Sequence, residues 1–295
     1  MQNFSLHTHT LGFDGRNTEA QMVEQARALG WSKIGFSNHF IVHRNIEATK
    51  MYQYALKGGY EKIYSSSFDE AVEKFQAHYK RVDELKEKTG FTIYKGMEVD
   101  FFRGDEWQEG FKKAVKILKP DYLIGSAHFV LTRDTLYNTH DLKNASKEEQ
   151  NLLLHKYYQN VRAAAESGLF NFLAHLDLMK KVGLGLEKEW IDEERQTVEA
   201  IAKAGARAEI NTSGFKLLYD EPYPSKRILS LLAEYNVPVI ISDDAHNVER
   251  LGDNFKKAEE LAQKAGIKTF YDPFKTQPQS VITSGREIHR GGLHE

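Results

Sequence analysis

The sequence predicts an α/β fold, a closed barrel of alternating β-strands and α-helices, on three observations. Seven short β-rich runs alternate with helical patterns along nearly the whole chain. Several of these runs are nearly continuous in apolar residues, VPVIIS at 237–242 most clearly, as strands are when helices cover both faces of a parallel sheet. No glycine-rich phosphate fingerprint follows an early strand, which leaves an open doubly wound sheet as the second reading.

In chain order the strand runs are FSLHTH at 4–9, KIGFS at 33–37, FTIYKGMEV at 91–99, DYLIGSAHF at 121–129, LFNFLAH at 169–175, RAEINT at 207–212 and VPVIIS at 237–242. The helices between them carry their own start and stop signals. Thr18 and Gln21 suit a capping box and Gly30 a C-terminal cap, and Ser146, Glu149 and Gly168 repeat the grammar. Further helical patterns run over 189–204 before Gly205, through PSKRILSLLAEYN, and up to Gly266. Two stretches break the rhythm. The first, 43–66, is polar and Tyr-rich and precedes an amphipathic helix with Phe68, Val72, Phe75, Val82 and Leu85 on one face; the second is 130–145. Both follow strand ends, as pocket-shaping loops do, and as ordinary surface excursions also do. After about residue 270 periodicity is lost, so SVIT at 280–283 reads as a last strand and 270–295 as the tail of a single domain spanning 1–295.

Composition narrows the chemistry. The 42 acidic residues outnumber the 40 basic ones for a net charge of -2, so no basic surplus is available to hold nucleic acid, and a small molecule is the expected partner. With no cysteine there are no disulfides and no thiolate ligands, and a metal must be held by nitrogen and oxygen. The first residues are polar and no run approaches the ~20 apolar residues of a membrane span, so the expectation is a soluble, cytoplasmic chain with no membrane partner. Oligomeric state is not legible.

The fragment LHTHT places His7 and His9 two residues apart, on one face of an extended strand. His39 follows KIGFSN, His128 follows DYLIGSA, His175 closes LFNFLA and His246 follows VIISDDA, so six of twelve histidines stand at the C-terminal ends of five predicted strands. That is the rim where a barrel gathers catalytic groups. Glu98, Asp14, Asp243 and Asp244 share the pattern. Six imidazoles and three or four carboxylates on one rim would be costly to bury uncompensated, and a metal cluster removes the cost. Nine nitrogen and oxygen ligands are too many for one ion, so two to three divalent ions are expected, with Mn, Fe or Zn suiting the mixture. His43, His78, His140, His155, His289 and His294 read as solvated or structural.

At these residues the chain resembles the PHP (polymerase and histidinol phosphatase) family. HTH at 7–9, NHF at 38–40, GMEVD at 96–100, GSAHF at 125–129, AHLD at 174–177 and SDDAH at 242–246 occur in the family's order. EINTSG at 209–214 and EPYPS at 221–225 further resemble its histidinol-phosphate phosphatase branch. The resemblance implies a distorted seven-stranded (β/α) barrel, TIM-like, hydrolysing phosphomonoesters at a trinuclear site. By that likeness His7, His9, Glu98 and Asp244 hold one ion, Glu98, His128 and His175 a second, and Asp14, His39 and His246 a third. Asn38 departs from the family, which commonly has Asp there.

Ions at such a rim would lower the pKa of water to about 7 and supply a nucleophile for phosphorus. Glu98 and Asp244 would serve this chemistry as ligands, and Asp243 reads either as a proton carrier or as a hydrogen-bonded brace. Lys216, then Arg16, Arg133 and Arg250, are the candidate cations for a small phosphorylated substrate. Histidinol phosphate would add a need for acidic or aromatic partners, for which Glu47, Tyr52, Tyr54, Glu61, Asp134, Tyr137 and Asp141 stand in the two interrupting stretches. The alternatives are a phosphodiester, nucleotide, phosphotyrosine or amide substrate, or a non-catalytic metal-binding module.

Overall fold

The structure, a computed structural model, describes residues 2–133 and 135–275. The expected strand at 280–283, most of the expected tail and Asp134 lie outside the described residues. The elements are α1 (Glu19–Ala28), β1 (Lys33–Phe36), β2 (His39–Val42), α2 (Lys50–Gly58), β3 (Tyr64–Ser65), α3 (Phe68–Thr89), β4 (Thr92–Asp100), α4 (Asp105–Leu118), β5 (Tyr122–Ser126), β6 (Phe129–Thr132), β7 (Thr135–Asn138), α5 (Lys147–Glu166), β8 (Phe172–Leu173), α6 (Ile191–Lys203), β9 (Ala208–Asn211), α7 (Lys226–Glu234), β10 (Val239–Ser242) and α8 (Phe255–Ala265). No helix among the described residues is long and apolar enough to cross a membrane.

The main sheet is parallel throughout, in the order β10-β9-β8-β5-β4-β2-β3, with β1 also paired to β4. The run predicted at 33–37 is interrupted at Ser37–Asn38, whose two carbonyls both accept from the Glu98 N–H at 3.1 Å, so β1 and β2 lie end to end along β4. The run predicted at 4–9 is extended without being a regular ladder strand. It bridges the two edges: Ser5 and Thr8 carbonyls accept from Gly35 and Ser37, while His7 and His9 exchange backbone bonds with Ala245 just past β10. The molecule is thus the distorted (β/α) barrel.

Inside it, Tyr122 crosses the floor and donates its hydroxyl hydrogen bond to the Leu6 carbonyl at 2.5 Å. A Cβ at Gly35 or Gly96 would collide with the Tyr122 ring, which is why glycine stands at both places. Tyr122 packs there with Phe4, Leu6, Ile124, Phe172 and Ile240, a plug two residues below Glu98 on β4. Helices α1 and α5 begin as expected, with Thr18 and Gln21 forming a capping box and Ser146 accepting from the Glu149 N–H. Both interrupting stretches are structured: 43–66 contains α2 and β3, and 130–145 contains the antiparallel β6–β7 hairpin.

Candidate metal centre

All nine residues expected at the rim meet there. Glu98 stands at the middle: its Oε1 lies 3.0 Å from His175 Nε2 and 3.4 Å from His128 Nε2, and its Oε2 lies 2.9 Å from His39 Nδ1, 3.2 Å from His7 Nε2 and 3.6 Å from His9 Nε2. Asp244 Oδ1 approaches His9 Nε2 at 3.2 Å and both His7 Nε2 and His246 Nδ1 at 3.6 Å. Asp14 Oδ2 sits 3.1 Å from His39 Nε2 and from His246 Nε2. Three overlapping groups have ligand atoms mutually within 4.8 Å: His9, Asp14, His39 and His246; His7, His9 and Glu98; and His39, Glu98 and His128.

Two of these contacts are hydrogen bonds, His175 Nε2 with Glu98 Oε1 and His246 Nε2 with Asp14 Oδ2, but many of the converging atoms have no hydrogen-bond partner. Both ring nitrogens of His9, Nε2 of His7, Nδ1 of His39 and of His175, Oε2 of Glu98 and Oδ1 of Asp14 are buried with no hydrogen-bond partner. Unpaired buried donors and acceptors each cost on the order of 1–3 kcal/mol. Lone pairs from imidazole and carboxylate converging on shared space are what a divalent cation satisfies, so the donor set fits a metal.

The electrostatics reflect the crowding. Burial opposes charge on His7, yet Glu209, Glu98 and Asp244 lift its pKa well above the ordinary imidazole value; Asp14 and Glu98 do the same for His39. His9 goes the other way, to about 4, through burial and the neighbouring His246 and His39 rings. Burial likewise disfavours charge on Glu98, Asp14 and Asp244, but the surrounding imidazoles hold all three well below the carboxylate range.

A cleft of about 170 Å³ opens onto the cluster. Asp14, His39, His128, His175, Asp244 and His246 line its floor, Asn138, Thr139, His140, Leu178 and Lys181 one wall, and Ile41, Met51, Tyr60, Ile63 and Tyr64 the other. The four candidate cations are not in this lining. Arg16 and Arg250 line a neighbouring cavity of about 660 Å³ with Glu249 and Asp253, and Arg250 pairs with Asp253 at 3.0 Å. Lys216 is exposed near Arg250 and Asp244, its pKa lowered by partial desolvation and by Arg250. Arg133 is exposed at the β6–β7 turn. Among the described residues named as acidic or aromatic partners, none lines the cleft; Met51, Tyr60, Ile63 and Tyr64 take that place from the same stretch.

Asp243 faces away from the cleft. Its carboxylate accepts from Ser5 Oγ and from the Gly252 N–H, each at 2.7 Å, which ties the first segment to the 243–252 turn, and burial pushes its pKa up to about 7. Sequence reasoning missed four contributors. Glu209 accepts from His7 Nδ1 and the His175 N–H, each at 2.8 Å; Asp100 accepts from the His128 N–H at 2.7 Å; and Lys181 and His140 line the cleft. Glu209 and Asp100 lay inside the quoted EINTSG and GMEVD motifs, so a signal for them existed.

Fold and rim together define a metal-binding α/β barrel. The chain belongs to the PHP domain family, whose model matches residues 5–213. It is 30% identical over 184 residues to a protein of Deinococcus radiodurans named probable histidinol-phosphatase, covering 62% of this chain and 69% of that one. A Schizosaccharomyces pombe protein of the same name is 24% identical over 279 residues, covering 89% and 87%. Among solved structures, histidinol phosphate phosphatase from Lactococcus lactis, crystallised with zinc, L-histidinol and phosphate, superposes with a TM-score of 0.67 at 17% identity, over 90% of this chain and 95% of the other, a likeness of fold.

Proposed function

We propose that this chain is a metal-dependent phosphomonoesterase acting on histidinol phosphate. The observation that carries the metal-dependent chemistry is the set of buried, unpaired imidazole and carboxylate atoms turned onto one cleft floor. The named substrate is supported by the two relatives called probable histidinol-phosphatase and by the likeness of EINTSG and EPYPS to that branch.

In this reading two to three divalent ions, Mn, Fe or Zn, are held by His7, His9, Glu98 and Asp244, by Glu98, His128 and His175, and by Asp14, His39 and His246. So held, they supply Lewis acidity toward phosphate oxygens and acidify water. The protein's own groups do the rest. His9, with its pKa at about 4, is uncharged at neutral pH and offers one bare ring nitrogen. Lys181 and His140 on one wall meet the phosphate's negative charge, and Met51, Tyr60, Ile63 and Tyr64 on the other keep water from the alcohol side.

The test is a panel of phosphomonoesters with and without chelator. Because binding energy from the non-reacting end of a substrate can be used at the reacting centre, histidinol phosphate should exceed glycerol phosphate and p-nitrophenyl phosphate by at least ~100-fold in kcat/KM. Comparable rates on all three would remove the named substrate, and no chelator-sensitive hydrolysis of any would remove the activity.

A further inference from the structure

Glu209 is fully buried on β9, outside the nine rim residues, and every acceptor site of its carboxylate is taken by a donor. Oε2 accepts from His7 Nδ1 at 2.8 Å and from the Ser242 hydroxyl; Oε1 accepts from the His175 N–H at 2.8 Å and from Asn211 Nδ2 at 2.9 Å. Those donors come from the first segment, from β10, from the residues after β8 and from β9 itself. One side chain therefore ties four parts of the rim together.

The bond to His7 has a chemical consequence. With its proton on Nδ1, facing Glu209, the neutral His7 ring carries its lone pair on Nε2. That atom is buried, has no hydrogen-bond partner, and faces Glu98 and Asp244 at 3.2 and 3.6 Å. The same carboxylate fixes the backbone from which His175 reaches Glu98. Resting on the metal-dependent reading above, we propose that Glu209 is a positioning residue: it selects the His7 tautomer that presents Nε2 to a metal ion and seats His175, and thereby sets how tightly the shared Glu98 site holds its ions.

Glutamine at 209 is close in shape but cannot repeat this pattern. Two of the four partners, the His175 N–H and Asn211 Nδ2, can only donate toward residue 209; Ser242 can turn its hydroxyl to accept, and His7 can accept only in its other tautomer. A Gln amide must therefore direct its NH₂ at another donor or push the His7 proton to Nε2, the wrong nitrogen. Changing the outer partner of a ligating histidine typically costs 10–100-fold in metal affinity.

The experiment titrates zinc into metal-free wild type and Glu209→Gln against a chromophoric chelator, with melting temperatures of both metal-free proteins as the control for folding. The expected result is melting within a few degrees and one zinc held roughly 10–100-fold more weakly. Unchanged affinity and stoichiometry in Glu209→Gln overturns the proposal. Should the variant not fold, the nitrogen-15 spectrum of zinc-loaded wild type decides: His7 with a protonated Nδ1 and a zinc-bound Nε2 supports the proposal, and any other state refutes it. A wild-type chain that takes up no zinc overturns the metal reading itself, an outcome distinct from normal uptake with an unaltered variant.

Discussion

His39 and Glu98 are register partners across β2 and β4, and the pairing brings His39 Nδ1 to 2.9 Å from Glu98 Oε2. Side chains paired in a parallel ladder project to the same face, so the register that builds the sheet also builds the centre of the site. Glu98 touches five imidazoles through its two oxygens. Glu98→Gln removes a charge that two ion positions would share. We expect turnover to fall about 1,000-fold, which is about 4 kcal/mol of transition-state stabilisation, with metal content reduced and the circular dichroism spectrum retained. Steady-state kinetics beside elemental analysis checks this, and near-normal turnover at full metal content would count against a bridging Glu98.

Metal removal should destabilise the protein, and more so at higher pH. In the metal-free chain His7 and His39 are raised well above the imidazole value of 6.5 by their carboxylate neighbours against the effect of burial, and His175 and His246 are raised as well. Stability from raised histidines is fully present below pH 6.5 and is lost as pH climbs through their folded values. The depressed carboxylates Glu98, Asp14 and Asp244 contribute above their ordinary values of 4.5 and 3.8, and lose that contribution only in acid. Above pH 6.5 the metal-free cluster therefore becomes an excess of buried negative charge, while ions bind better as protons leave. Free metal at 100 times Kd adds about 2.7 kcal/mol per ion. The rise in Tm on adding metal should grow from pH 6 to pH 8, and thermal melts with metal and with chelator at each pH would show a shrinking shift if this is wrong.

Asn38, where the family commonly has Asp, joins the rim to a buried chain behind it. Its Oδ1 accepts from the Thr10 N–H at 2.8 Å beside His9, and its Nδ2 donates to Thr10 Oγ1 at 3.0 Å and faces His78 Nε2 at 3.1 Å, while His78 Nδ1 meets Glu19 at 2.9 Å. Burial lowers the His78 pKa, which keeps the ring neutral and able to accept from Asn38. In Asn38→Asp the donor becomes an acceptor, to which the Thr10 hydroxyl can turn and donate but which His78 Nε2 can face favourably only by taking up a proton. The expected cost is about 1–3 kcal/mol, larger at pH 8 than at pH 5.5, because stability tied to a raised histidine disappears as pH rises. Urea denaturation at the two pH values measures it, and equal losses at both would exclude protonation of His78.

The rim was legible because its residue types are rare at strand ends and recur together; the five-imidazole neighbourhood of Glu98 follows from residues that the motifs already separated. What escaped reading has physical causes. Helix α2 fully buries only Ala55, with Met51 and Tyr52 half-buried against the core beside it, so the stripe in KMYQYALKG is short and lies within a stretch that reads as polar and Tyr-rich. The first segment is held by bonds to Gly35, Ser37 and Ala245, partners up to more than 200 residues away that local pattern cannot reveal. Glu209 looks like any strand carboxylate until β8, β9, β10 and the first segment converge on it. Lys181 lines the cleft where the four candidate cations do not, and it escaped reading for the same reason: it belongs to a 3-10 turn after β8, and only the fold turns that segment toward the cleft.

Lys181 and Arg133 therefore make opposite predictions. Lys181 lines the cleft beside His140, whose pKa is lowered by burial and then by Lys181 itself, and it forms no salt bridge among the described residues. A cation facing a bound phosphate loses little charge to competing carboxylates there, so it should act where negative charge develops. Both side chains are exposed, but Arg133 stands at the hairpin turn outside the cleft lining. Lys181→Ala should lower kcat/KM by roughly 10–100-fold, about 1.4–2.8 kcal/mol, and weaken inhibition by inorganic phosphate in parallel. Arg133→Ala should stay within about twofold of wild type. Kinetics of both variants on one phosphomonoester, with phosphate inhibition constants, decide the matter. A larger loss at Arg133 than at Lys181 would mean that the phosphate is met from the hairpin rather than from the turn after β8.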